Sequence, residues 1–178
     1  MPKIGFKSLL LGAAAIVPIW FQYRSKRKED GVSSDDATFL REAAAGGRLE
    51  VKLGEIAVNR SATEDVKDFA RRMQRDHTRT DDELKDLARK KGVQLPTGLM
   101  TKQQSMIDRL AKLSGKEFDR QYMKSMIEDH AEDVAKFEQE AKQARDRDVK
   151  QFAKNTARVL KEHLKLAQKT GEEMGVNA

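Results

Sequence analysis

The chain has 178 residues, room for one domain of ordinary size plus a short extra segment. Charged residues make up 36% and aromatics 6%, with three prolines and few β-branched runs, a composition that points to an all-helical protein and away from a sheet. The absence of cysteine excludes disulfides, thiolate metal sites and a lipid-modified N-terminal cysteine. The formal charge of +6 is concentrated in residues 1–34, which carry a net +4. The remainder is a mixed-charge surface without the basic face and stacking aromatics of a nucleic-acid binder, so no nucleic-acid partner is expected.

In residues 1–34, Lys3 and Lys7 precede an apolar run from Leu9 to Phe21. Two readings fit it. Ala13, Ala14 and Ala15 offer a small-residue cleavage site, as in a signal peptide for export to the periplasm. Alternatively, Ile4 to Tyr23 is close to the roughly 20 residues that span a bilayer. Trp20 and Tyr23 would then sit at the interface, and Arg24 to Lys28 against headgroups. In that inner-membrane anchor, the excess of basic residues after the run would hold the C-terminal side in the cytoplasm, which conflicts with export. Gly31 to Ser34 reads as a linker, and residues 35–178 as the folded domain.

The first long helix is expected over Asp35 to Asn59, with Ser34 as N-cap and Asp35 and Asp36 favourable in the first turn. Its stripe includes Phe39, Leu40, Ala43, Gly47, Glu50, Val51, Gly54 and Ala57. Gly46, Gly47 and Gly54 each cost helix propensity, about 1 kcal/mol against Ala, and so suggest close packing or room in the core. Ser61 to Glu64 forms a capping-box pattern that opens a second helix running to Lys91, with Gly92 as its C-terminal stop. A short turn makes these two an antiparallel hairpin. Gly92 to Gly98 is loop-like, and a short helix follows over Thr101 to Leu113. A second capping-box pattern, Ser114 to Glu117, opens the third long helix, Gly115 to Ala144. Arg145 to Asp148 turns into the fourth, Val149 to Thr170, ended by Gly171. Two hairpins joined by a crossover make an antiparallel four-helix bundle with a short extra helix between helices 2 and 3.

The three histidines of the chain, His77, His130 and His163, all fall on apolar stripes read at 100° per residue. His77 and His163 lie 16 and 17 residues after their hairpin turns, and His130 lies 16 before its own. At about 1.5 Å per residue all three reach one level near mid-bundle. Glu50 is the core carboxylate of the first helix nearest that level. Met73 and Met126 precede His77 and His130 by one turn on the same face. Asp76 and Asp129 adjoin the stripe edge, where each can accept a hydrogen bond from a neighbouring helix's histidine.

These stretches resemble a bacterial family of unknown function whose members are often labelled outer membrane proteins. The resemblance rests on Phe39 to Gly47 with Glu50 to Ala57, on Val66 to Ala70 with Met73 and Asp76-His77, and on Leu95-Pro96. It continues through Leu113 to Gly115 with Phe118-Asp119 and Tyr122, then Asp129-His130, Phe152-Ala153 and His163-Leu164. It covers about Asp35 to Thr170. It implies a ferritin-like helical bundle, usually in an exported protein, and no established activity. The missing cysteine departs from the members that look like lipoproteins.

Two readings of the histidines follow. In the first they bind a transition metal, since neutral imidazoles suit zinc, copper, iron or nickel. Thioethers from Met73 and Met126 would favour copper, and Glu50 as a fourth ligand would favour zinc or iron, with Asp76 and Asp129 orienting the rings. In the second the histidines and aspartates form a buried polar network that only fixes helix packing. A ferritin-type di-iron centre is disfavoured. It needs Glu-x-x-His on two helices, and Gln74, Ile127 and Leu160 stand three before the histidines. No cysteine exists and no serine lies on a stripe near the histidines, so nucleophilic catalysis has little support, and the chain reads more as a binding protein than as an enzyme.

Overall fold

A computed structural model describes residues 31–176. The segment expected to be an anchor or export signal falls outside these residues, save for 31–34. The described chain is all-helical. Helix α1 spans Ser34–Arg60 and α2 spans Glu64–Lys91. The short α3 spans Thr101–Leu110, and the long α4 and α5 span Gly115–Gln143 and Arg147–Glu172. Among the described residues no helix is long and apolar enough to cross a membrane.

The termini differ from local expectation in instructive ways. Ser33, not Ser34, caps α1, its hydroxyl accepting from the Asp36 amide at 3.1 Å. Neither capping-box pattern forms as such. Helix α2 begins after Thr63 and α4 after Ser114, and neither N-cap side chain bonds its helix. At α2 the acceptor comes from far along the chain. The Asp119 carboxylate takes the amides of Ala62 and Thr63 and the Thr63 hydroxyl, at 3.1–3.2 Å. A carboxylate is a stronger acceptor than a serine hydroxyl, and Ser61 instead bonds the main chain of Thr63. Asp36 does the same at the opposite turn, accepting from the amides of Arg145 and Asp146 at 3.2 and 2.9 Å. Gly92 ends α2 with φ of 67°, as its lack of a Cβ permits. Helix α5 runs past Gly171 to Glu172, and that glycine makes room for α4, since a Cβ there would meet Ile127 at 2.9 Å.

Helix α1 packs along α2, and α4 along α5. The hairpins meet where α2 packs on α5 and α1 on α4, while α3 touches α1 and α4. Gly54 lets α1 approach α2 closely, since a Cβ there would lie 2.7 Å from Gln74 Cγ and 3.1 Å from the Ala70 carbonyl. Two apolar clusters fill the interior. One gathers Leu53, Phe69, Met73, Tyr122 and Met126; the other gathers Leu40, Leu84, Phe137, Phe152 and Leu160. Each such side chain stabilises the fold by roughly 1.5–3 kcal/mol on burial. Along α2, α4 and α5 the histidines fall between residues of these two clusters, so a polar layer divides the core.

Candidate metal centre

His77, His130 and His163 come from three different helices and meet. Their ring centres are 5.7 Å (His77 to His130), 5.2 Å (His77 to His163) and 5.5 Å (His130 to His163) apart. One ring nitrogen of each lies within 4.8 Å of the others, and among the described residues they form the group of metal-ligating side chains so disposed. A metal held by three imidazole nitrogens at about 2.0–2.1 Å would set the ring centres roughly 5 to 5.5 Å apart.

Two of the rings are fixed by hydrogen bonds on one side. His130 Nδ1 donates to the Met126 carbonyl at 2.9 Å. His163 Nε2 donates to Asp76 Oδ2 at 2.9 Å, a carboxylate it shares with Arg72. These bonds assign the tautomers and leave His130 Nε2 and His163 Nδ1 as bare acceptors. Both are buried without a partner, as is His77 Nε2. Three unpaired buried ring nitrogens in one layer are a cost the fold bears, since an unsatisfied buried polar atom costs about 1–3 kcal/mol.

Burial also keeps the rings neutral. Desolvation, then the neighbouring histidines, push His77 well below the ordinary imidazole range, and desolvation takes His130 down to about 4. His163 is lowered too. There desolvation outweighs the opposing pull of Asp76, so the His163–Asp76 contact joins a neutral imidazole to a carboxylate. Burial pushes Asp76 up, but bonds from His163 and Arg72 more than offset it and hold the carboxyl below its ordinary value.

The other candidate residues divide. Glu50 is buried but does not join the ring nitrogens. It lies on the α1 side facing α4, where desolvation and then the charges of Asp129 and Asp133 raise it far above the carboxylate range. Ionised, both its oxygens lack a partner; protonated, it donates to Asp129. Asp129 therefore serves Glu50 and not a histidine ring, because its side of α4 turns toward α1. Met73 and Met126 are buried in the apolar cluster above the rings, and the Met126 atom that bonds a histidine is its carbonyl oxygen. That main-chain acceptor was not readable from residue identities. Asp81 and Asp133, raised by desolvation to about 6 and about 7, were also missed. Both lie one turn from a histidine, a spacing that gave a signal.

No curated protein matches the chain. Among solved structures, a DUF305 protein from Streptomyces coelicolor, described as a presumed secreted protein, is similar with a TM-score of 0.69 at 17% identity, over 80% of this chain and 93% of that one. A DUF305 fragment from Deinococcus radiodurans is similar with a TM-score of 0.70 at 14% identity, over 82% and 98%. CopM in its Cu(I)-bound form is similar with a TM-score of 0.65 at 18% identity, over 78% and 96%. These likenesses concern the helical fold. The model of one sequence family matches residues 22–170, and on that match the chain belongs to the domain of unknown function DUF4142.

Proposed function

We propose that this protein is a ferritin-like bundle that binds one transition-metal ion, Cu(I), at His77, His130 and His163, as a binding protein and not an enzyme. The observation that carries the reading is the convergence of three unpartnered, neutral ring nitrogens, two of them pre-oriented by Met126 and Asp76. Charge decides the ion. The carboxylate bonded to the triad is Asp76, already shared with Arg72. A divalent ion would bring two charges into a buried layer with at most one opposing charge bonded to the rings, and each uncompensated buried charge costs several kcal/mol. A monovalent soft ion with three imidazoles, in a layer bounded by Met73 and Met126, avoids that cost. The shared fold with Cu(I)-bound CopM supports this choice of metal.

The reading of residues 1–34 as an export segment sets the bundle in the cell envelope. The presumed secretion of a fold relative supports it. Fractionating cells that express the chain with and without residues 1–34 tests that part, and equal cytosolic recovery of both would refute it.

The metal reading is tested by anaerobic Cu(I) titration of the parent and of a His77→Gln, His130→Gln, His163→Gln variant, with zinc in parallel. The parent should take up one Cu(I) per chain and the variant none at the same concentrations. Equal uptake by both would exclude the triad. A variant that is only less stable, beside a parent that binds no metal, would favour a purely structural network.

A further inference from the structure

A small cavity of about 30 Å³ reaches the triad at His77. It lies where all four long helices converge, and its walls include Gly46, Gly47, His77, Asp81, Asp133 and Thr156. At that volume it holds a water or two, or an ion that has shed most of its hydration. Of the three histidines only His77 lines it. His77 is also the most exposed of the three, at 6% against 1% for each of the others. No hydrogen bond ties down its ring, whereas His130 is held by Met126 and His163 by Asp76.

Gly46 and Gly47 lie at the mouth. A Cβ at Gly47 would run into the Asp81 carboxylate, so this glycine is what lets Asp81 lean over α1. A Cβ at Gly46 would stand 3.9 Å from Asp133 Oδ2. Gly47 thus seats the α2 carboxylate at the opening, and the α4 carboxylate of Asp133 lies beside Gly46 with room for ordinary contact. Lys136 stands at the rim, but Glu42 pairs with it. Desolvation raises both aspartates, and Lys85 and Arg48 near Asp81 and Lys136 near Asp133 offset only part of it.

We propose that this cavity is the port through which a metal cation enters, received by Asp81 and Asp133 at the Gly46–Gly47 mouth and passed to the untethered His77 ring. The proposal rests on the triad being a Cu(I) site. The two carboxylates act on passage and not on final binding, because neither belongs to the group formed by the three ring nitrogens. His77 swings as the receiving ligand while His130 and His163 wait in place. A port lowers the barrier in both directions, so it speeds uptake and release alike and leaves the equilibrium unchanged.

The test follows Cu(I) transfer to the apo protein from its coloured bicinchoninate complex, by the rate at which the colour is lost, and the return transfer to excess chelator. Asp81→Asn with Asp133→Asn keeps size and removes charge. A cleft lined by one sign of charge raises association rates by about tenfold or more, so this variant should be slowed by about that factor in uptake and release, with an unchanged dissociation constant. Asp82→Asn removes the same charge next door, on a residue paired outside with Lys85, and should leave both rates at the parent's values. Gly46→Leu, which fills the cavity without touching the carboxylates' charge, should slow both rates as well. Parent-like rates in the double aspartate variant and in Gly46→Leu would overturn the port while leaving the triad as the metal site. A weakened affinity with an unchanged uptake rate would make the aspartates ligands, and would also overturn it. A parent that takes no Cu(I) from the chelator removes the triad reading and the port together.

Discussion

The core holds two polar clusters, and burial acts on them in opposite directions. On the α2, α4 and α5 side three imidazoles are pushed below their ordinary pKa. On the side where α1 meets α4, Glu50 and its acceptor Asp129 are pushed above theirs. In both, desolvation is the main cause and the neutral form is favoured. The neutral forms have opposite chemistry. A neutral imidazole presents a lone pair and so becomes a ligand. A neutral carboxylic acid presents a proton and so becomes a donor, as Glu50 does to Asp129. The same apolar surroundings therefore make a metal site of one cluster and an internal clasp of the other.

Four measurements test that contrast. The largest effect is on metal stabilisation. At a free Cu(I) concentration 100 times the dissociation constant, the parent should gain about 2.7 kcal/mol against unfolding, and Glu50→Gln should gain as much. Any loss of that gain in Glu50→Gln would merge the two clusters into one site. Next, Asp76→Asn should weaken Cu(I) binding about 10- to 100-fold, as loss of a ring-orienting partner does, while Asp129→Asn stays near the parent. If the two aspartates behave alike in competition titrations, the contrast fails.

The third is pH dependence. The histidines have depressed folded pKa values, so their stabilising contribution is present above their unfolded value, near 6.5, and is lost as pH falls toward about 4 for His130. The carboxyls have raised values, so theirs is present below about 4 and is lost as pH rises through about 7 for Asp133 and beyond for Glu50. Urea melts from pH 4 to 9 should show Glu50→Gln gaining on the parent as pH rises, by up to about 1.4 kcal/mol per pH unit. A difference that does not change with pH would mean that Glu50 is ionised in the fold. The smallest effect belongs to Tyr122, whose buried hydroxyl lacks a partner. Tyr122→Phe should be neutral or stabilising by about 1 kcal/mol in the same melts; a clear loss would reveal a bond from Tyr122 to the Glu50 cluster.

The meeting of the histidines was legible because both hairpin turns are short and the helices are long and periodic. Counting from a turn fixes depth, and the stripe fixes direction. Glu50 shows the limit of that method. Its depth was countable, but a place on the stripe of α1 does not say whether the side chain leans toward α2 or α4, and neighbouring Asp129 decided it. The helix starts show another limit. Ser61 and Glu64 satisfy a local pattern, yet the acceptor that wins is Asp119, 57 residues from Ala62. Local spacing cannot report a partner brought by tertiary packing. The glycines were read as room in the core, and Gly47 makes that room for Asp81.

The crosswise aspartates carry a consequence for how the chain comes apart. Asp36, in the first hairpin, holds the turn of the second. Asp119, in the second, holds the turn of the first. Neither hairpin keeps its own turn amides satisfied when the other leaves. Each would lose its charge-assisted bonds and expose its half of the apolar interior at once. The two hairpins are thus interlocked into a single cooperative unit, and amide protons at both turns should exchange by the same global opening as those in the middle of the helices.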